Sequence, residues 1–154
     1  MIEYALVPAE TRHVEELART IADADRAEVW AAMHMPAHEA IALSVAGSRE
    51  PMAGLADGRV VCMFGVAQVT LLSAVGIPWL LGSRDLPQHR VRFLRESHRY
   101  IRRIALQFDL LVNYCSASHV RAVRWIEWLG FTMHPAEPFG PDRALFHRFD
   151  MRTR

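Results

Sequence analysis

Four groups of residues in this chain have types and spacings that could do chemistry. Cys115 and His119 stand four apart, where an apolar stretch over 110–115 gives way to the polar break Ser116-Ala117-Ser118. A thiolate is nucleophilic and an unperturbed imidazole titrates near neutral pH, so a Cys–His pair is conceivable there. Nothing in the pattern orients the histidine, so packing of Cys115, and packing or capping by His119, is the simpler expectation. The segment over 82–90, Gly-Ser-Arg-Asp-Leu-Pro-Gln-His-Arg, opens a helix that goes on to Arg92, Arg95, Arg99, Arg102 and Arg103. Only Asp85 and Glu96 oppose them. That face suits a phosphate, a nucleic acid or an acidic protein, or it is a solvated helix flank. His34, His38 and Glu39 are metal-ligand types, yet Pro36 spoils the helical spacing and no third ligand pattern follows, so no metal site is expected. Trp125 and Trp128, three apart, and Phe139 in a proline-rich stretch pack the core or anchor a partner.

These residues need elements to hold them. Residues 2–7 alternate as a first strand, and 10–32 carry Val14, Leu17, Ile21, Ala24 and Val29 at helical spacing. Pro36 interrupts, and a second helix covers 37–46. Asp57-Gly58 between apolar runs at 51–56 and 60–68 signals a β-hairpin. Residues 69–74 extend that hairpin or begin a loop, and 77–82 read as a strand buried on both faces. A long helix over 88–108 presents Val91, Leu94, Ile101, Ala105 and Phe108 as its apolar stripe. Then come the strand 110–115 and a helix over 119–129, which Ser118 can cap and Gly130 can end. A loop with Pro135, Pro138 and Pro141 leads to a last strand at 144–149. The order implies a mixed sheet with helices on both faces, in one domain over 1–154.

Composition sets further bounds. The chain is 51% hydrophobic and 23% charged, ordinary for a globular domain. No apolar run reaches membrane-spanning length, and the start lacks a signal-peptide pattern, so an intracellular protein without a membrane partner is expected. Both cysteines lie in apolar runs and read as buried thiols. A net charge of +1 argues against non-specific nucleic-acid binding by the chain as a whole. All 18 basic residues are arginine, so surface contacts must use guanidinium forks.

The element order, with Leu129-Gly130-Phe131 closing the last helix, resembles the GNAT N-acetyltransferase superfamily. That resemblance implies an α/β fold with a mostly antiparallel sheet, in which acetyl-CoA wedges between two splayed middle strands, here 77–82 and 110–115. It implies a pyrophosphate held by backbone N–H groups at the start of the helix after the first of them. Three departures stand out. The phosphate loop lacks its glycine pair and contains Pro87. Ile126 replaces a tyrosine that often serves as general acid, and His119 replaces a common asparagine. Together they suggest the fold without its standard chemistry, and no bound cofactor. If CoA does bind, Arg84, Gln88, Arg90 and Ser118 are its contacts.

Asn113-Tyr114 followed by Ser118-His119-Val120-Arg121, with Gly130 nine residues on, looks like the small GNAT-like internal virion or head-morphogenesis proteins of short-tailed phages. This implies an assembly protein working through contacts with other phage structural proteins or with itself, in the host cytoplasm or packaged in the virion. Trp125, Trp128, Phe139, Arg95 and Arg99 are then the candidate contacts. The alternative is an acetyl-CoA-dependent N-acetyltransferase acting on a small amine or a protein amino group. A nucleic-acid-binding module using the arginine-rich helix is a third reading.

Overall fold

Asp57 and Gly58 take φ of 49° and 79°, the left-handed pair that a two-residue hairpin turn requires. They join β2 (Ser48–Ala56) to β3 (Arg59–Ala67) in the expected hairpin. Around it the computed structural model, which describes residues 1–153, builds a seven-stranded sheet in the order β1-β2-β3-β4-β5-β7-β6. The other strands are β1 (Tyr4–Pro8), β4 (Val75–Gly82), β5 (Leu110–Ser116), β6 (Thr132–Phe139) and β7 (Ala144–Arg152). Every neighbouring pair is antiparallel except β4 with β5. A parallel pair needs a long crossover, and α4 (Leu86–Ile104) supplies it.

Helices α1 (Thr11–Thr20), α2 (Asp23–Met33) and α3 (Ala37–Ala46) cover one face, burying Leu17, Ile21, Ile41, Ala53 and Met63. Helix α4 and α5 (Val120–Trp128) cover the other, over Phe64, Phe93, Ile104, Leu111 and Phe149. Alternation along β3 sends Met63 to the first core and Cys62, Phe64 and Val66 to the second. Among the described residues, no helix is long and apolar enough to cross a membrane.

Several sequence expectations need correction. The helix expected over 10–32 is two helices. Ile21 turns extended (φ −54°, ψ 139°) and bridges to Ser83, which splits α1 from α2. On α4 the buried stripe is Phe93, Ser97, Tyr100, Ile101 and Ile104, while Val91 is 58% exposed. Val91 lies off that face, so it cannot share the stripe. Residues 69–74, left open between strand and loop, form a loop. The proline-rich segment after Gly130 is strand β6, which Pro135 and Pro138 do not disrupt because it lies at the sheet edge. The strand expected buried on both faces, β4, leaves Ile77, Trp79 and Leu80 partly exposed.

Candidate active site at the parted strands

Strands β4 and β5 pair only at Val75 with Leu110 and Gly76 with Leu111. Beyond those residues the two strands part, and their inner polar groups need other partners. Asn113 on β5 provides the first: its side-chain amide donates to the Pro78 carbonyl at 2.7 Å, across the gap. Farther out, α2 provides the rest. Asp25 Oδ2 accepts from the Gly82 N–H at 2.6 Å, at the end of β4. Glu28 Oε2 accepts from the Ser116 N–H at 2.8 Å, at the end of β5. Residues 25 and 28 lie one turn apart on one helix face, so α2 clasps both strand ends at once.

The clasp is also an acid–base cluster. His119 Nε2 lies 2.6 Å from Asp25 Oδ1, with side chains only 17% and 12% exposed. The hydrogen bond to Asp25 raises the pKa of His119 above its ordinary value, against the opposing effect of burial. Burial raises the carboxyl of Glu28, despite its hydrogen bond from Ser116. The Cys115 thiol meets Glu28 at 3.6 Å, and burial together with that carboxylate pushes its pKa well up. Cys115 is therefore a packed thiol held toward its protonated form.

The conceivable pair of Cys115 with His119 does not form: each meets a different carboxylate of α2. Asp25 is the orienting third residue that the sequence pattern did not reveal. Ser118 does not cap α5; His119 holds the capping position without a side-chain cap, and Ser118 Oγ pairs with Ser116 Oγ at 2.8 Å. Gly130 does end the helix region, at φ 101°. Asp25 and Glu28 had one legible signal, an Asp-x-x-Glu spacing on a helix, which is common on solvated faces.

In the turn into α4 the amides of residues 83–86 and of Gln88 are all taken. Ser83 N–H donates to Val61 O, Arg84 to Thr20 O, Leu86 to Ser83 O, and Gln88 to Asp85 O. Asp85 N–H donates to Ser83 Oγ, and Pro87 has none to give. What remains is guanidinium. Arg84 and Arg90 are exposed, and among the described residues neither side chain makes a hydrogen bond or ion pair. Gln88 and Arg90 share a cavity of about 400 Å3 with Tyr4, His89, Arg92 and Arg95, whereas Arg84 lies outside its lining.

On the opposite side of the sheet, a groove of about 310 Å3 is lined by Tyr114, His134, Glu137, Phe139, Phe146 and Arg148. Phe139 stacks on Tyr114 with centroids 4.2 Å apart. His134 and Arg148 both bind Asp150. The hairpin tip beyond this groove seats on α2, where His34 Nε2 meets Asp142 at 2.7 Å and stacks on Trp30. Trp125 is half-buried and its indole N–H has no partner among the described residues, while Trp128 is 56% exposed. Arg95 and Arg99 are exposed on α4.

Neither a protein-family model nor a curated protein matches the sequence. Solved structures do match the fold. A protein from Acinetobacter baylyi assigned as an acetyltransferase superposes with a TM-score of 0.74 at 15% identity, covering 99% of this chain and 94% of its own. A ribosomal L7/L12 alpha-N-protein acetyltransferase in complex with coenzyme A gives 0.71 at 9% identity, covering 97% and 93%. A GNAT-family acetyltransferase from Streptococcus pneumoniae gives 0.64 at 9% identity, covering 97% and 99%. The parted strands, the crossover and the two helical layers together are those of the GNAT acetyltransferase fold.

Proposed function

We propose that this chain is an acetyl-CoA-dependent N-acetyltransferase acting on a small amine or a protein amino group. One observation carries this reading: where β4 and β5 part, His119, held 2.6 Å from Asp25, stands with the buried carboxyl of Glu28, which meets the Ser116 N–H at 2.8 Å. Acyl transfer to an ammonium needs a base that accepts a proton from nitrogen and an acid that serves the departing thiolate. Glu28, raised by burial, is a stronger base than an ordinary carboxylate. His119, held at Nε2 by Asp25, keeps its other proton at Nδ1 and replaces the acid that Ile126 cannot be. Ile126 itself packs into the core.

When bound, acetyl-CoA supplies the activated acyl group as a thioester. The turn into α4, its amides taken, does not fit an amide cradle for its diphosphate, but Arg84 and Arg90 fit as guanidinium partners. The groove beside Tyr114 offers the acceptor an aromatic wall of Tyr114, Phe139 and Phe146. The phage-assembly reading rests on the short motif around Asn113 and His119. Here Asn113 bridges the parted strands and His119 joins the acid–base cluster, which favours the transferase.

Calorimetric titration with acetyl-CoA, and thiol release with a panel of amines, test this. Wild type binds and releases thiol, and Arg84→Ala/Arg90→Ala weakens binding about ten-fold or more. Glu28→Gln and His119→Ala lower turnover while binding persists. A wild-type protein that neither binds acetyl-CoA nor releases thiol overturns the proposal and returns the assembly role to first place.

A further inference from the structure

We infer that the surface formed by α4 and α5 binds single-stranded nucleic acid, a role independent of acetyl transfer. The net charge of +1 hides a strong polarity between the two helical layers. Helices α4 and α5 carry eight arginines against Glu96 and Glu127. Helices α1 to α3 carry only Arg12, Arg19 and Arg26 against six acids. Charge is segregated by face, so the basic layer acts locally as a polycation although the chain is nearly neutral.

Within that layer the residues form two facing stripes. On α4, Arg95, His98 and Arg102 follow at spacings of three and four, one helix face rising about 10 Å from first to last. On α5, Arg121, Arg124 and Trp128 follow at the same spacings. The stripes meet where His98 lies against Trp128, with ring centroids 5.3 Å apart. Trp128 nevertheless stays 56% exposed, leaving indole surface open among guanidinium groups. Arg95, Arg102 and Arg124 make no side-chain hydrogen bond or ion pair among the described residues, and Arg121 meets only the like charge of His119, so all four can turn to phosphates.

Guanidinium rows with an open aromatic ring between them are what an unpaired strand requires: cations for its backbone and a surface on which a base can stack. An acidic protein could use the arginines and the indole alike, so full displacement of the strand by polyglutamate of equal charge also overturns the inference. A duplex keeps its bases stacked internally and would leave Trp128 idle. Arg95 also lines the cavity that holds Gln88 and Arg90, so this surface touches the proposed cofactor contacts at that one arginine, while Trp128 lies at the end of α5 away from the turn at Arg84.

Fluorescence anisotropy of a labelled oligodeoxythymidine, titrated across salt concentrations, tests the inference. The logarithm of affinity should fall linearly with the logarithm of salt, and Arg95→Ala/Arg102→Ala should reduce that slope by about 1.4, at roughly 0.7 per lost phosphate contact. Arg121→Ala/Arg124→Ala should do the same from the other helix. Trp128→Ala should weaken binding about 5- to 150-fold with the slope unchanged. Arg19→Ala, on the acidic layer, should change nothing. These side chains are exposed, so an unchanged melting curve shows that each variant is folded. No binding at low salt, an unaltered slope in both arginine pairs, preference for a duplex of equal length, or full displacement by acetyl-CoA would each overturn the inference.

Discussion

Replacing Asp25 tests whether α2 holds the parted strands. Its carboxylate accepts from the Gly82 N–H and meets His119 Nε2, each at 2.6 Å, with little solvent access. A hydrogen bond to a charged group contributes about 1.5–3 kcal/mol, and a buried N–H left without a partner costs about 1–3 kcal/mol. These effects overlap, so Asp25→Ala should cost about 3–4 kcal/mol in all. For a domain of this size that is a fall in Tm of roughly 6–16 °C. Asp25→Asn keeps an acceptor for Gly82 and a donor for a neutral ring, so its cost at high pH should be only about 1 kcal/mol.

The pH dependence of the Asp25→Asn variant separates an ion pair from simple packing. Asp25 raises the pKa of His119 above 6.5, so the folded state binds that proton more tightly than the unfolded chain does. The resulting stabilisation is complete below 6.5 and is lost as pH rises through the higher folded value. Urea unfolding should therefore show a wide gap between wild type and Asp25→Asn at about pH 6 and a narrow one at about pH 9. A gap of equal size at both, or one that widens with pH, refutes the reasoning.

Three further outcomes follow from the same geometry. Burial raises Glu28 above its ordinary 4.5, so wild type should lose stability as pH rises from there through the folded value. Glu28→Gln keeps the acceptor for Ser116 and should flatten that window in urea unfolding; a loss that persists in the variant would point to another group. Gly140 has φ 79°, and a Cβ there would lie 2.3 Å from the Ala31 carbonyl oxygen. Gly140→Ala should thus cost about 2–4 kcal/mol by thermal melting, and a neutral result would mean the hairpin tip is not seated on α2. Burial pushes the Cys62 thiol up to about 12 and the Cys115 thiol up as well, so a thiol-specific disulfide reagent at about pH 8 should label neither until denaturant is added. Rapid labelling of Cys115 in the native protein would contradict its packed position.

Much of the scaffold was legible because its signals are local. Asp57-Gly58 sets a hairpin through its own backbone preferences, and Gly130 ends a helix through its missing Cβ, wherever they stand in space. The apolar run at 110–115 and the order of strands and helices pointed to a sheet with two helical layers. Local signals also misled. Helical spacing ran through Ile21, although a bridge to Ser83, distant in sequence, extends the chain there. Prolines at 135 and 138 argued against a strand that only an edge position permits.

The sequence by itself determined the chemical types available: a cysteine in β5 with a histidine just after it, and an arginine-rich helix after β4. Only the tertiary structure decided their partners. Asp25 and His119 are 94 residues apart, and no spacing rule links a helix near the start of the chain to the ends of two strands far along it. They meet because β4 and β5 part, and a parted sheet leaves N–H groups that some buried acceptor must satisfy.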